Sequence, residues 1–164
     1  MTDFDAIDTK ILEALQANGR VPQVEIAREV GLAPSAVLER MRKLESKGII
    51  RGYAAVLSPK AVGLGMLAFI AVRTAEVAGG EDKVGRDLAK VPEVLEVHHV
   101  AGDDCFLVKI RARDAEHLGD LLKTSIGRIS GVRSTRTTIV LGSLKESLRL
   151  PLPEVPAEEE AAAS

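Results

Sequence analysis

QVEIAREVGLAPSAVLERMRKLESKG, residues 23–48, decides how the chain is read. It predicts one helix over about 23–30, burying Val24, Ala27 and Val30, and a second from Pro34 to Gly48. Gly31 ends the first, and Pro34 suits the first position of the second, where its missing N–H costs nothing. Along the second helix Val37, Met41 and Leu44 form one apolar stripe. Ser35, Glu39, Arg42, Lys43 and Ser46 fall on the opposite face. Two helices joined by the turn Gly31-Leu32-Ala33 match the spacing of a helix-turn-helix, whose second helix enters the DNA major groove. Groove entry needs an apolar inner stripe, an outer face that reaches base edges, and cations near both backbones. Residues 34–48 offer all three. The DNA-contacting candidates are Ser35, Ala36, Glu39, Arg40, Arg42, Lys43, Lys47 and Arg51. Ser35 and Glu39 suit base readout, Arg42 and Lys43 suit guanine or phosphate, and Lys47 and Arg51 suit phosphate alone. The same periodicity also suits a three-helix protein-interaction module with a solvated charged face.

Upstream, Ile7, Ile11, Leu12 and Leu15 recur at helical spacing over residues 4–17, with Asp3 and Asp5 at the positive end and Asn18-Gly19 as the stop. Downstream, the period changes. Tyr53 to Leu57 and Met66 to Thr74 read as strands, separated by a turn-rich segment. A helix over about 81–90 follows, then strands at Val94 to Val100 and Cys105 to Ala112 around the tight connection Gly102-Asp103-Asp104. Asp114 caps a helix through about Ser125, and the β-branched run Val132 to Leu141 is the last strand. The order from Met66 onward, β-α-β-β-α-β, is the split, ferredoxin-like arrangement. The fold class is therefore α+β: an N-terminal helix-turn-helix plus a ferredoxin-like βαββαβ sandwich. The domains run 1–52, a linker strand and turn 53–65, 66–145, and a disordered acidic tail 146–164 containing Pro151, Pro153 and Pro156.

Composition narrows the class. Of 164 residues, 46% are apolar and 28% charged, the balance of a soluble globular protein. Aromatics are 2%, so the cores are aliphatic and thin, and burial between subunits is the expected remedy. One Cys excludes an internal disulfide and fits a reducing, cytoplasmic setting. The acidic start MTDFDAIDTK has no secretory character, and Met66 to Val72 is too short to span a bilayer, so no membrane partner is expected. Net charge is −2, but it is unevenly spread. Residues 33–51 set Arg40, Arg42, Lys43, Lys47 and Arg51 against Glu39 and Glu45, while the tail holds Glu154, Glu158, Glu159 and Glu160.

Several motifs are set aside. Gly63-Leu-Gly65-Met-Leu-Ala68 has nucleotide-loop spacing but is preceded by a polar turn and followed by a strand, the wrong context. His98 and His99 lie near Asp103, Asp104 and Cys105, yet neighbouring strand residues point to opposite faces, so no metal is expected there. Cys105 reads as a small buried hydrophobe. No nucleophile–base constellation has a convincing context, and the chain is not read as an enzyme.

The runs Ile7-Asp8-Thr9-Lys10-Ile11-Leu12, Asn18-Gly19-Arg20, Gly31-Leu32-Ala33-Pro34-Ser35 and Arg40-Met41-Arg42-Lys43-Leu44-Glu45 resemble the Lrp/AsnC family of feast/famine regulators. So do Gly48 to Tyr53, Val100-Ala101-Gly102-Asp103-Asp104 and Ser134 to Thr138, all in that family's order over about residues 4–145. The resemblance implies a winged-type helix-turn-helix joined to an αβ-sandwich that dimerises, stacks into tetramers or octamers, and binds an amino-acid effector between dimers. Carried over by position, the effector site is Val100, Ala101, Gly102, Asp103 and Asp104 with Thr135, Thr137 and Thr138. Asp103 or Asp104 would accept from the ligand's ammonium, while Gly102 and the threonines would donate to its carboxylate. The chain departs from the family's pattern at Cys105, where an acidic residue is common, and at Pro22 and Ala33, where Ser often caps a helix. The implied function is a transcription regulator that reads a pseudo-palindromic site in double-stranded DNA as a homo-oligomer and needs no cofactor. The alternative is an architectural DNA-binding protein whose second domain only oligomerises.

Overall fold

The computed structural model describes residues 4–75 and 80–153. The chain divides into two compact units. One combines the described residues up to Ala55 with those from Glu146 onward, and the other spans Val56–Lys145.

The first unit holds α1 (Ala6–Ala17), α2 (Gln23–Val30) and α3 (Pro34–Ser46). Asp5 caps α1 by a reciprocal capping box. Its carboxylate accepts from the Asp8 N–H at 2.8 Å, and the Asp8 carboxylate accepts from the Asp5 N–H at 3.3 Å. Asp3 lies outside the described residues. Gly31, at φ +73°, closes α2 in the left-handed conformation, and the Leu32 N–H turns back to the Ala27 carbonyl at 2.9 Å. Pro22 and Ala33 start α2 and α3 without a side-chain cap, so these two helices depend on packing. That packing is Ile11 and Leu12 of α1, Ile26 and Ala27 of α2, and Val37 and Leu44 of α3. One inward position differs from expectation: Val24 is 55% exposed and Ile26 is fully buried. Ile26, Ala27 and Val30 share a helical face that leaves Val24 outside it.

The second unit is a four-stranded antiparallel sheet of β1 (Met66–Thr74), β2 (Val94–His99), β3 (Phe106–Ala112) and β4 (Val132–Ile139), in the order β2-β3-β1-β4. α4 (Gly80–Leu88) and α5 (Ala115–Asp120) cross between strands. Val84, Leu88, Leu118 and Ile126 bury against Ile70, Val72, Val108 and Ile110 on one face of the sheet. Alternation is what selects those strand residues, since β1 and β3 each turn every second side chain to the helices. The helix expected through Ser125 is α-helical only to Asp120. It widens into a π-turn over Leu121–Ser125 and tightens into a 3₁₀ turn over Ile126–Arg128, which carries Ile126 into the core.

Two expectations need correction. Tyr53 to Leu57 forms no strand and is exposed throughout, because no other described segment pairs with it and an unpaired strand leaves both edges unsatisfied. Residues 146–153, expected within a disordered tail, are part of the helical unit. The Gln16 amide donates to the Leu150 carbonyl at 3.1 Å and accepts from the Leu150 N–H at 2.7 Å, and Leu152 packs on the helical core. Residues 154–164 lie outside the described set.

Candidate DNA-recognition and effector sites

Within the first unit, α3 presents Ser35, Glu39, Arg42 and Lys43 on its exposed side, because burial of Val37 and Leu44 fixes its rotation. Lys47 and Arg51, beyond the helix end, are also exposed, and Ala36 is half-buried at the margin. Arg40 is turned elsewhere. Its guanidinium donates to Asp5 Oδ2 at 2.7 Å and to Asp8 Oδ1 at 2.8 Å, fastening α3 to the first turn of α1. A cation expected among the DNA contacts is thus committed to an internal ion pair. Burial opposes ionisation of Asp5, but the Asp8 N–H and the Arg40 guanidinium outweigh it and hold the carboxyl below its usual range. Burial likewise disfavours the Arg40 cation, and its two carboxylate partners more than restore it.

Tyr53 ties the residues after α3 back to that helix. Its hydroxyl donates to Glu45 Oε1 at 3.0 Å. Burial, then the bond to Glu45 and that residue's charge, push the phenol up to about 12. Nothing in the spacing of Glu45 and Tyr53 announces this pair.

In the second unit the candidate effector residues occupy the connection between β2 and β3 and the edge strand β4. The Val100 N–H donates to the Cys105 carbonyl, and the Cys105 N–H donates to the Val72 carbonyl on β1. Gly102 takes φ +131°, a conformation that an L side chain rarely adopts. Ala101, Gly102 and Asp103 are exposed, and Val100 and Asp104 are half-buried. Asp104 is already engaged. Its Oδ2 accepts from the Arg136 guanidinium at 2.9 Å, and its Oδ1 lies 3.9 Å from Arg73 Nε. The same Arg73 Nε donates to the Asp103 carbonyl at 3.0 Å. Arg73 and Arg136 were not anticipated. They are 31 and 32 residues from Asp104 along the chain, and only the strand register brings them together.

The register also divides the threonines. Thr135 and Thr137 pair with Val72 and Ile70, so they share the helix-covered face, whereas Thr138 pairs with Phe69 and points to the other face. Cys105 is half-buried and accepts from the Thr74 hydroxyl at 3.0 Å. Among the described residues no group of three or more His, Cys, Asp or Glu side chains is placed to hold a metal ion, and no helix is long and apolar enough to cross a membrane.

Residues 67–150 match the Lrp/AsnC ligand binding domain family, and residues 4–51 match a winged helix-turn-helix DNA-binding family. The chain is 44% identical over 149 residues to the HTH-type transcriptional regulator FL11 of Pyrococcus horikoshii, covering 91% of this chain and 97% of that protein. It is 38% identical to the leucine-responsive regulatory protein of Escherichia coli, covering 90% of this chain and 91% of that one. Among solved structures, a Neisseria meningitidis transcriptional regulator in complex with L-Met superposes with a TM-score of 0.85 at 34% identity. The match covers 90% of this chain and 96% of the other.

Proposed function

The chain belongs to the Lrp/AsnC family of transcriptional regulators, and from that premise we propose that it is a sequence-specific DNA-binding regulator whose second unit takes an amino acid as effector. The observation that carries the DNA half is the exposed face of α3. Ser35 and Glu39 occupy its first turns and Arg42 and Lys43 follow, on a helix whose rotation is fixed by its core residues. Ser35 and Glu39 read base edges, and Arg42, Lys43, Lys47 and Arg51 hold guanine or phosphate. Arg40 serves the helix pair instead. The chain acts as a homodimer or larger assembly, which presents two recognition helices about one turn of DNA apart, roughly 34 Å, to a pseudo-palindromic site.

The effector half is supported by the L-Met bound to the Neisseria relative and by the chemistry of the β2–β3 connection. With Asp104 held by Arg136, the exposed Asp103 is the carboxylate left to accept from a ligand ammonium. Val100, Ala101 and Gly102 line the same connection, Thr138 offers a hydroxyl on the face of β4 that Arg136 shares, and Thr135 and Thr137 offer theirs on the other. The test is a thermal-shift screen of the twenty amino acids, since a ligand that prefers the native state raises Tm with concentration. A hit abolished by Asp103→Asn supports the site. Stabilisation that survives this change places the ligand elsewhere, and silence across the panel refutes amino-acid sensing.

A further inference from the structure

The chain crosses between its units twice, at residues 55–56 and again at 145–146. The second crossing returns residues 146–153 to the helical unit, and there they make two kinds of contact. The Gln16 side-chain amide both donates to and accepts from the backbone of Leu150, at 3.1 and 2.7 Å. An amide is one of the few side chains able to satisfy the N–H and the C=O of one residue at once. Leu152 packs on the cluster of Ile11, Ile26 and Leu44. The sequence suits this seating. Pro151 and Pro153 restrict φ, and Leu150, preceding a proline, is biased to extended backbone, so little conformational freedom remains to be lost on docking. The Leu150 side chain is itself 71% exposed, so its tie to Gln16 runs through the backbone alone, and Leu152 supplies the apolar contact with the helical core.

We propose that residues 146–153 are a strap that completes the helix-turn-helix fold, so that the recognition unit depends for its stability on residues following the last strand of the other unit. α1 is the element fastened, and α3 rests on α1 through Arg40 and on the shared core, so seating the strap steadies the recognition helix without touching its exposed face. The strap works through α1 and the core and is a positioning element, not a DNA contact.

The experiment is residue-resolved hydrogen exchange on the full-length chain, comparing wild type with Gln16→Met and with Leu152→Ser. Methionine keeps the length and helix propensity of residue 16 and removes only the amide. Each substitution is expected to accelerate amide exchange across α1, α2 and α3 by roughly tenfold, the worth of one or two lost hydrogen bonds or of one half-buried leucine. Exchange in β1 and β3 stays unchanged. A third variant, Leu144→Ser, alters an exposed leucine outside the strap and should leave all helices at wild-type rates. Unchanged helix exchange in both Gln16→Met and Leu152→Ser would overturn the proposal, as would acceleration in the sheet equal to that in the helices. Neither result depends on whether the protein senses an amino acid, so this inference and the effector reading fail separately.

Discussion

Replacing Arg40 with Gln separates two roles that the sequence left merged. Arg40 lies on a helix rich in cations, yet its side chain is only 31% exposed and is bonded to those of Asp5, 52% exposed, and Asp8, 14% exposed. The Asp5 bond is close to a surface ion pair, worth about 0.5 kcal/mol. The Asp8 bond is charge-assisted and largely shielded, and its loss, which leaves Asp8 only the capping bond from the Asp5 N–H, costs about 1.5 kcal/mol. Arg40→Gln should therefore destabilise the first unit by roughly 2 kcal/mol, a fall in Tm of about 10 °C for a domain this small. The destabilisation has a definite pH dependence. Because the folded Asp5 carboxyl lies below its ordinary value of 3.8, its contribution is present above that value and lost as pH falls through the depressed folded value. The gap between wild type and variant should accordingly narrow below pH 3.8. The decisive assay is fluorescence anisotropy with a DNA duplex across a salt series at a temperature where both proteins are folded. The slope of log affinity against log salt should match wild type, since no phosphate contact is lost. A slope shallower by about 1.8, the value of one phosphate contact from each protomer of a dimer, together with an unchanged Tm, would refute the assignment of Arg40 to the helix pair.

Four further outcomes follow from the same geometry. Arg42→Glu and Lys43→Glu should each weaken DNA binding and flatten the salt slope by about 0.9 or more, with Tm nearly unchanged; an unaltered slope in both would remove α3 from the interface. Tyr53 is the sole tyrosine, and the chain has no tryptophan, so tyrosinate absorbance reads it alone. One transition at about 12 is expected, displaced toward ordinary values in Glu45→Gln. With its folded value raised, the stability that Tyr53 contributes is present below pH 10 and lost as pH rises toward 12. Ile70→Ala, at a fully buried position facing the helices, should cost about 2–5 kcal/mol in chemical denaturation of the second unit; a loss under 1 kcal/mol would be inconsistent with this core. Gly131→Ala should also destabilise that unit, since the added methyl would lie 2.8 Å from Val84 Cγ2 at a φ of +100°; wild-type Tm would contradict that packing.

What depends on local periodicity and local chemistry is legible along the chain. The three helices, the turn at Gly31, the four strands of the second unit and the exposed polar face of α3 all follow from 3.6- and 2-residue repeats and from capping residues within a few positions of one another. The same signals misled where a local preference lacked a partner. Tyr53 to Leu57 has strand composition but no described neighbour to pair with, and Val24 lost the inward position to Ile26 because the packing of three helices, not one helix's own stripe, chose the phase. The long-range commitments of charge and hydrogen bonding emerge only when the elements pack. Arg40 meets Asp5 and Asp8 from 35 and 32 residues away, Arg136 reaches Asp104 through strand register, and Gln16 finds Leu150 across 134 residues. A charged or amide side chain carries no periodic signature of its partner. Which arginine faces solvent and which is spent inside is fixed only when helices and strands have packed, because the energy of an ion pair depends on distance and burial that the linear chain does not record.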